Sequence, residues 1–294
     1  MGLVSLNEYN HLSEDKILES WETPVQIYQT SLRPVQKSAL LKCLEYDINE
    51  DLEPAIINMP TGTGKTGVIA SILFKSIFKR TLIIVPSNAL RIQISNDLLN
   101  INKYISWKIL PSCSKKPLIA RLEPNNIDKL NLSDLSKYFT VIATPNILQS
   151  IQKYGNTNEF LSKFDRLIFD EAHHCEAPTW SLFRDNFIKR EKKIFQFTAT
   201  PYRNDGKKLE GSLIFQYSIQ KAFEAKFFEK IHFEGITEYY ENESDVRIAK
   251  RALEILQKDL DNNLNHVLMV KTNTIKHAKE LKVNRPEYFG DSLS

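Results

Sequence analysis

The stretch PAIINMPTGTGKTGVIASILFKSIFK (54–79) opens on an apolar run, turns through two spaced glycines and continues as a helix-like segment. PAIINM (54–59) is nearly continuous in apolar residues, as strands covered on both faces are. The spacing in TGVIASILFKSIFK (66–79) predicts a helix. A glycine turn between strand and helix is the setting of a phosphate-binding loop. Its glycines let main-chain N–H groups curl round phosphate oxygens, and the helix N-terminus adds partial positive charge. Thr61, Gly62, Thr63 and Gly64 form the turn, Lys65 is placed to reach the β and γ phosphates, and Thr66 to hold Mg2+. Met59 stands where the general pattern has a small residue.

Outward from this loop, four more apolar runs repeat the strand signature: TLIIVP (81–86), TVIATP (140–145), RLIFDEAHH (166–174) and KIFQFTATP (193–201). Helix-like segments such as ALRIQISNDLL (89–99) lie between them. Strand alternating with helix predicts an α/β fold with a parallel sheet flanked by helices. Functional residues of such sheets gather at the carboxyl ends of the strands. RLIFDEAHH ends its apolar run in adjacent carboxylates, which puts Asp170 and Glu171 at that edge. Phosphoryl transfer asks the protein mainly for positioning and charge neutralisation. Asp170 would bind the Mg2+ hydration shell, and Glu171 would orient and deprotonate the attacking water. An acidic pair capping a helix is the bland reading of the same residues; the phosphate loop elsewhere in the chain weighs against it.

Composition narrows the class without naming a substrate. The 294 residues are 42% hydrophobic and 26% charged, ordinary for a soluble globular chain, with net charge +3. A pI near 8.5 permits nucleic-acid binding without arguing for it. Cys43, Cys113 and Cys175 form no CxxC pair, against a disulfide scaffold or zinc ribbon. His173, His174 and Cys175 lack a second ligand pair at zinc spacing. The N-terminal stretch shows no signal peptide, and no apolar run reaches the roughly 18 residues of a membrane span. These features predict a reducing, cytoplasmic location and no membrane partner.

Taken in order, the motifs resemble superfamily 2 DEAD/DEAH-box helicases, most closely the branch of type III restriction subunits and XPB-like repair helicases. LRPVQ (32–36) resembles the adenine-reading Q motif, with Gln36 placed for the base and Arg33 nearby. PTGTGKT resembles motif I, IVPSNAL (84–90) motif Ia, ATPN (143–146) motif Ib, DEAH (170–173) motif II and TAT (198–200) motif III. The resemblance implies a RecA-like domain that uses ATP and Mg2+. It implies coupling through His173, Thr198 and Thr200, and nucleic-acid contacts, DNA ahead of RNA, at Pro86, Ser87, Thr144 and Pro145. Without the family order, these last four read only as strand-end turn residues. Tyr202 and Arg203 are candidates for a nucleic-acid contact or, equally, for packing on the interdomain face.

Residues 1–22 are polar and without period, and are set apart as an N-terminal extension; 23–215 form RecA-like domain 1 and 216–294 a partial domain 2. In the latter, KIHFEGI (230–236) and NHVLMVK (265–271) read as strands, SDVRIAKRALEILQKDL and TIKHAKEL as helices, and HVLMVKTNTIKHAKEL (266–281) resembles motif IV. The family's later glycine-rich motif and its QxxGRxxR arginine-finger motif are missing from the 294 residues. The expectation is slow ATP hydrolysis by the chain alone, with the finger supplied by a second chain or a further C-terminal segment. A half-formed second sheet should also expose an apolar edge. A different class of function, a nucleotide-gated interaction module without translocation, fits the missing finger and the weak basic character.

Overall fold

Eight short strands line up as one sheet: β1 (Leu3–Ser5), β2 (Ala55–Asn58), β3 (Thr81–Ile84), β4 (Ile119–Leu122), β5 (Thr140–Ala143), β6 (Arg166–Phe169), β7 (Lys193–Thr198) and β8 (Ser212–Gln216). Their order is β1-β4-β5-β3-β6-β7-β2-β8. Strands β2 to β8 are mutually parallel, and β1 pairs antiparallel with β4. The computed structural model describes residues 3–5, 14–21, 27–75, 79–124, 127, 130–155, 157–174, 177–202, 206–228, 233–237, 241–264 and 268–284. The chain divides into two units, Met1–Glu229 and Lys230–Ser294.

Burial on both faces explains why the strands read as unbroken apolar runs. Every residue of β2, β3, β5, β6 and β7 is buried. Side chains alternate between two cores, as the period of a strand requires. Ile57, Ile83, Ile142, Ile168 and Phe195 join one core with Leu40 of α2 (Pro34–Ile48) and Val68 and Ile72 of α3 (Lys65–Lys75). Ile56, Leu82, Val141, Leu167 and Ile194 join the other with Ile147 of α6 (Pro145–Lys153) and Phe183 and Phe187 of α8 (Ala177–Lys189). Helices α4 (Asn88–Leu99), α5 (Ile101–Ser106) and α7 (Thr157–Ser162) fill the remaining connections.

Two stretches behave differently from their sequence reading. In residues 1–22, β1 forms an edge strand, α1 (Glu14–Glu19) follows, and Ile17 and Trp21 are buried in the first core. Trp21 Nε1 donates to the Lys115 carbonyl at 2.9 Å, and its ring meets Phe74 edge-on at 5.3 Å. One tryptophan in a polar stretch carries no period, so only its distant partners reveal it. Past residue 203, where the sequence alternation breaks, β8 adds to the sheet beside β2, and α9 (Ile219–Glu224) follows within the first unit.

The second unit holds α10 (Glu241–Asp261) and α11 (Ile275–Asn284), as read from the sequence, with Asp245 and His277 paired at 2.9 Å. The two strands expected there do not form among the described residues. Residues 233–236 and 268–271 lie outside any strand, and the remainder of those runs, 230–232 and 265–267, falls outside the described residues. A β-prone run needs a hydrogen-bonding neighbour before it is a strand, and no ladder pairs these residues. Met269, in the second run, is left 89% exposed. No described helix is long and apolar enough to cross a membrane.

Candidate nucleotide site

The strand order sets out the candidate residues along one carboxyl edge. Reading along β5, β3, β6, β7 and β2, the chain presents Thr144–Pro145, Pro86–Ser87, Asp170–Glu171, Thr198–Thr200 and the 60–66 loop. Main-chain bonds continue the ladder past the strand ends. Asp170 N donates to Ile84 O at 2.9 Å, Val85 N to Ala143 O at 3.1 Å, and Met59 N to Thr198 O at 2.9 Å. Segments far apart in sequence are thereby held in fixed register.

Gly62 and Gly64 adopt left-handed backbone at φ 84° and 96°, which a residue with a Cβ adopts at a cost. Thr63 is fully buried, its hydroxyl donating to Pro60 O at 2.6 Å. The loop feeds directly into α3, whose first residue is Lys65. Lys65 is buried, with Nζ 2.9 Å from Glu171 Oε1 and donating to Met59 O at 3.3 Å. Thr61 is exposed and Thr66 half-buried.

Asp170 is buried beside this ion pair. Burial first, and then the neighbouring Glu171 charge, push its carboxyl up to about 6, against the pull of Lys65. Glu171 sits at φ 52°, a strained conformation for a non-glycine residue. Its Oε2 is buried with no hydrogen-bond partner among the described residues, 3.5 Å from His173 Nδ1. Two carboxylates and the Thr66 hydroxyl are hard oxygen donors, and an orphaned carboxylate oxygen suits a cation. The set fits Mg2+, which is commonly held by one or two carboxylates together with substrate phosphates.

His173 links the acidic segment to the end of β7: its Nδ1 lies 3.0 Å from Thr198 Oγ1. Burial, and then the adjacent His174, lower the His173 pKa. Thr198 Oγ1 donates to Thr200 O and accepts from Thr200 N at 3.2 Å. His173, Thr198 and Thr200 therefore form one connected chain between β6 and β7.

Gln36 takes a different posture from an open base reader. Its Oε1 accepts from Arg33 N at 3.0 Å, closing the first turn of α2, and its Nε2 donates to Gly64 O at 3.0 Å. A Cβ on Gly64 would collide with that amide, and one on Gly67 would come within 2.6 Å of it. The side chain thus braces the loop, a role visible only once α2 and α3 are packed together. Arg33 Nη1 donates to Gly62 O at 3.3 Å, and its guanidinium lies 4.9 Å from the centre of the Phe227 ring. Phe227 and Phe228 carry no sequence signal for this place, since nothing local ties them to the loop.

On the other side of β6, Ser87 caps α4 by accepting from Leu90 N at 3.2 Å, and Thr144 precedes α6, whose first residue is Pro145. Because β3 and β5 are neighbours, two helix N-termini stand side by side there. Arg203 lies outside the described residues, and Tyr202 is half exposed.

Sheet order, glycine loop and acidic edge define the chain as a RecA-like P-loop domain of the superfamily 2 helicase kind. Residues 29–203 match the type III restriction enzyme, res subunit family, and the chain belongs to that family. It is 29% identical over 214 residues to the DNA 3'-5' translocase XPB2 of Sulfurisphaera tokodaii, covering 71% of this chain and 40% of the relative. It is 23% identical over 230 residues to the ATP-dependent RNA helicase cgh-1 of Caenorhabditis elegans, covering 76% and 46%. Among solved structures, a nuclease-deletion mutant of the Type ISP restriction-modification enzyme LlaGI in complex with a DNA substrate mimic is similar at 17% identity and a TM-score of 0.46. That likeness covers 90% of this chain and 25% of that one. The chain thus spans less than half the length of either curated relative named here.

Proposed function

We propose that this chain carries the ATP-binding and ATP-hydrolysing part of a superfamily 2 nucleic-acid motor. The observation that carries the reading is the Lys65–Glu171 contact at 2.9 Å, with Asp170 buried beside it, at the mouth of a glycine loop. Lys65 and the loop N–H groups bind the β and γ phosphates. Glu171 orients the attacking water and accepts its proton. Thr66 and Asp170 hold Mg2+, which when bound neutralises charge on the phosphates. The neighbouring N-termini of α4 and α6, flanked by Pro86, Ser87, Thr144 and Pro145, offer the first-turn N–H groups of their non-proline residues to a nucleic-acid backbone. The His173–Thr198–Thr200 chain joins that side of the edge to the phosphate side. A relative named as a DNA translocase, together with the restriction-enzyme family, favours DNA over RNA and a motor over a nucleotide-gated interaction module. A part in restriction or defence, within the cytoplasm, fits that family.

Domain 1 is read as 23–215 and a partial domain 2 as 216–294, and the arginine finger comes from outside these residues, in a partner or a further segment. A finger contributes on the order of a thousandfold or more to turnover, so the chain alone binds ATP and hydrolyses it slowly. Lys65→Ala is expected to abolish binding of a fluorescent ATP analogue. Glu171→Gln is expected to bind it normally and to lose hydrolysis by at least a hundredfold. Wild-type affinity in the first variant would refute the site. DNA-stimulated turnover near about 10 per second, a common enzyme rate, from the chain alone would refute the external finger.

A further inference from the structure

Gly62 is held from outside its own loop on two sides. Its carbonyl accepts from Arg33 Nη1 at 3.3 Å, and a Cβ built on its α-carbon would lie 3.1 Å from Cε1 of the Phe228 ring. The ring therefore rests against the bare α-carbon, and a Cβ there would require it to give by a few tenths of an ångström. Phe228 is seated by a small aromatic group. Phe223 meets it edge-on at 5.6 Å, Phe227 meets Tyr217 at 6.1 Å, and Phe227 lies under the Arg33 guanidinium. The backbone delivering the two rings is firmly turned. Phe227 N donates to Ala222 O at 3.0 Å, and Lys226 takes a left-handed φ of 55° just after α9. This group is anchored to the strand that launches the loop, since Tyr217 N donates to Asn58 O, at the end of β2, at 2.9 Å. Other carbonyls of the loop also take side-chain donors: Thr63 donates to Pro60 O, Lys65 to Met59 O and Gln36 to Gly64 O.

We propose that Phe228, together with the Arg33–Phe227 contact, is a positioning element for the phosphate-binding loop and sets nucleotide affinity through Gly62. A loop that must present several N–H groups at once is sensitive to the freedom of its most permissive residue, and Gly62 is left-handed with no side chain of its own to fix it. The ring and the guanidinium restrict it from opposite groups, carbonyl and α-carbon. The residues that do this lie at the end of the first unit, so the loop is coupled to the last turn before the chain enters residues 230–294. Strain that nucleotide binding places on Gly62 is felt at Phe228, so removing the ring changes nucleotide affinity.

The proposal rests on the nucleotide reading of the site, and the experiment separates the two. Binding of ATP and of inorganic tripolyphosphate to the full chain is measured for wild type, Phe228→Ala, Phe228→Tyr and Arg33→Ala, with thermal unfolding recorded for each. Loss of aromatic and cation–π contacts of this kind is expected to raise both dissociation constants about tenfold in Phe228→Ala. Phe228→Tyr should restore both constants. Arg33→Ala combined with Phe228→Ala should cost less than the sum of the two, because they act on one residue. Weakening of ATP with tripolyphosphate unchanged would mean that the ring stacks on the base, and would overturn the proposal. So would unchanged constants in Phe228→Ala. If Phe228→Ala unfolds, Arg33→Ala carries the same comparison. A wild-type chain that binds neither ligand would overturn the nucleotide site itself, and this inference with it.

Discussion

Asp170 shows what the site costs the fold. A carboxylate at 9% exposure, next to a second carboxylate, is desolvated and repelled, and Lys65 only partly offsets this. Its carboxyl, pushed up to about 6, holds a proton more tightly in the folded chain than in the unfolded one. Ionisation therefore lowers stability as pH rises from about 4 through 6, and the whole penalty is present above that window. Asp170→Asn keeps the shape and removes the charge, so it is expected to stabilise the fold by about 2 kcal/mol at pH 7.5 in chelator while losing ATP hydrolysis. Urea unfolding midpoints of the two proteins give the comparison; a destabilised variant would contradict it. The identities of Lys65, Thr66, Asp170 and Glu171 were legible in the sequence, because their spacing after apolar runs is local. The strained φ of Glu171 and the brace that Gln36 makes on Gly64 were not, because each depends on a neighbour from another element.

At the scale of elements, the amino ends of the strands are tied together as firmly as the carboxyl ends are made ready for chemistry. Arg166, the first residue of β6, is fully buried. Its Nε donates to Thr81 Oγ1 of β3 at 3.1 Å, and its Nη1 lies 3.5 Å from the buried Asp47 of α2. Asp47 also pairs with Lys79, whose Nζ lies 3.1 Å from its Oδ2, so losing Arg166 leaves the buried carboxylate only partly compensated. Arg166→Met is thus expected to cost about 3 kcal/mol in urea unfolding, and Asp47→Leu added to it should cost less than the two single losses summed. Additive losses would show that the two side chains act separately. The run RLIFDEAHH gave no hint of this role, since an arginine opening a strand ordinarily faces water. The helices show a similar division. The extents of α3 and α4 follow from their apolar spacing, within a few residues. The order of the strands does not, because β3 follows β2 in the chain while β7 and β6 lie between them in the sheet.

At the scale of the whole molecule, the two units differ in how well each buries its own apolar surface. The central strands of the first unit are buried throughout, whereas in α10 Ile248, Ile255 and Leu260 are each more than 40% exposed. Local opening follows buried contact. Amide hydrogen exchange is therefore expected to be slowest in β3, β6 and β7, and faster by at least a hundredfold in α10 and α11. Equal protection in both units would contradict that ranking. What the sequence by itself determined was the class of fold and which residues stand at the edge: a nearly continuous apolar run means a strand buried on both faces, and a glycine turn between strand and helix puts Lys65 at a helix start. Those rules act within a dozen residues, which is why they can be read along the chain. What only the tertiary structure decided was partnership: β1 and β8 at the sheet edges, Trp21 in the core, no strand at 268–271, and Phe228 resting on Gly62. Each depends on which distant surface a segment meets, and that is set by the packing of the whole unit.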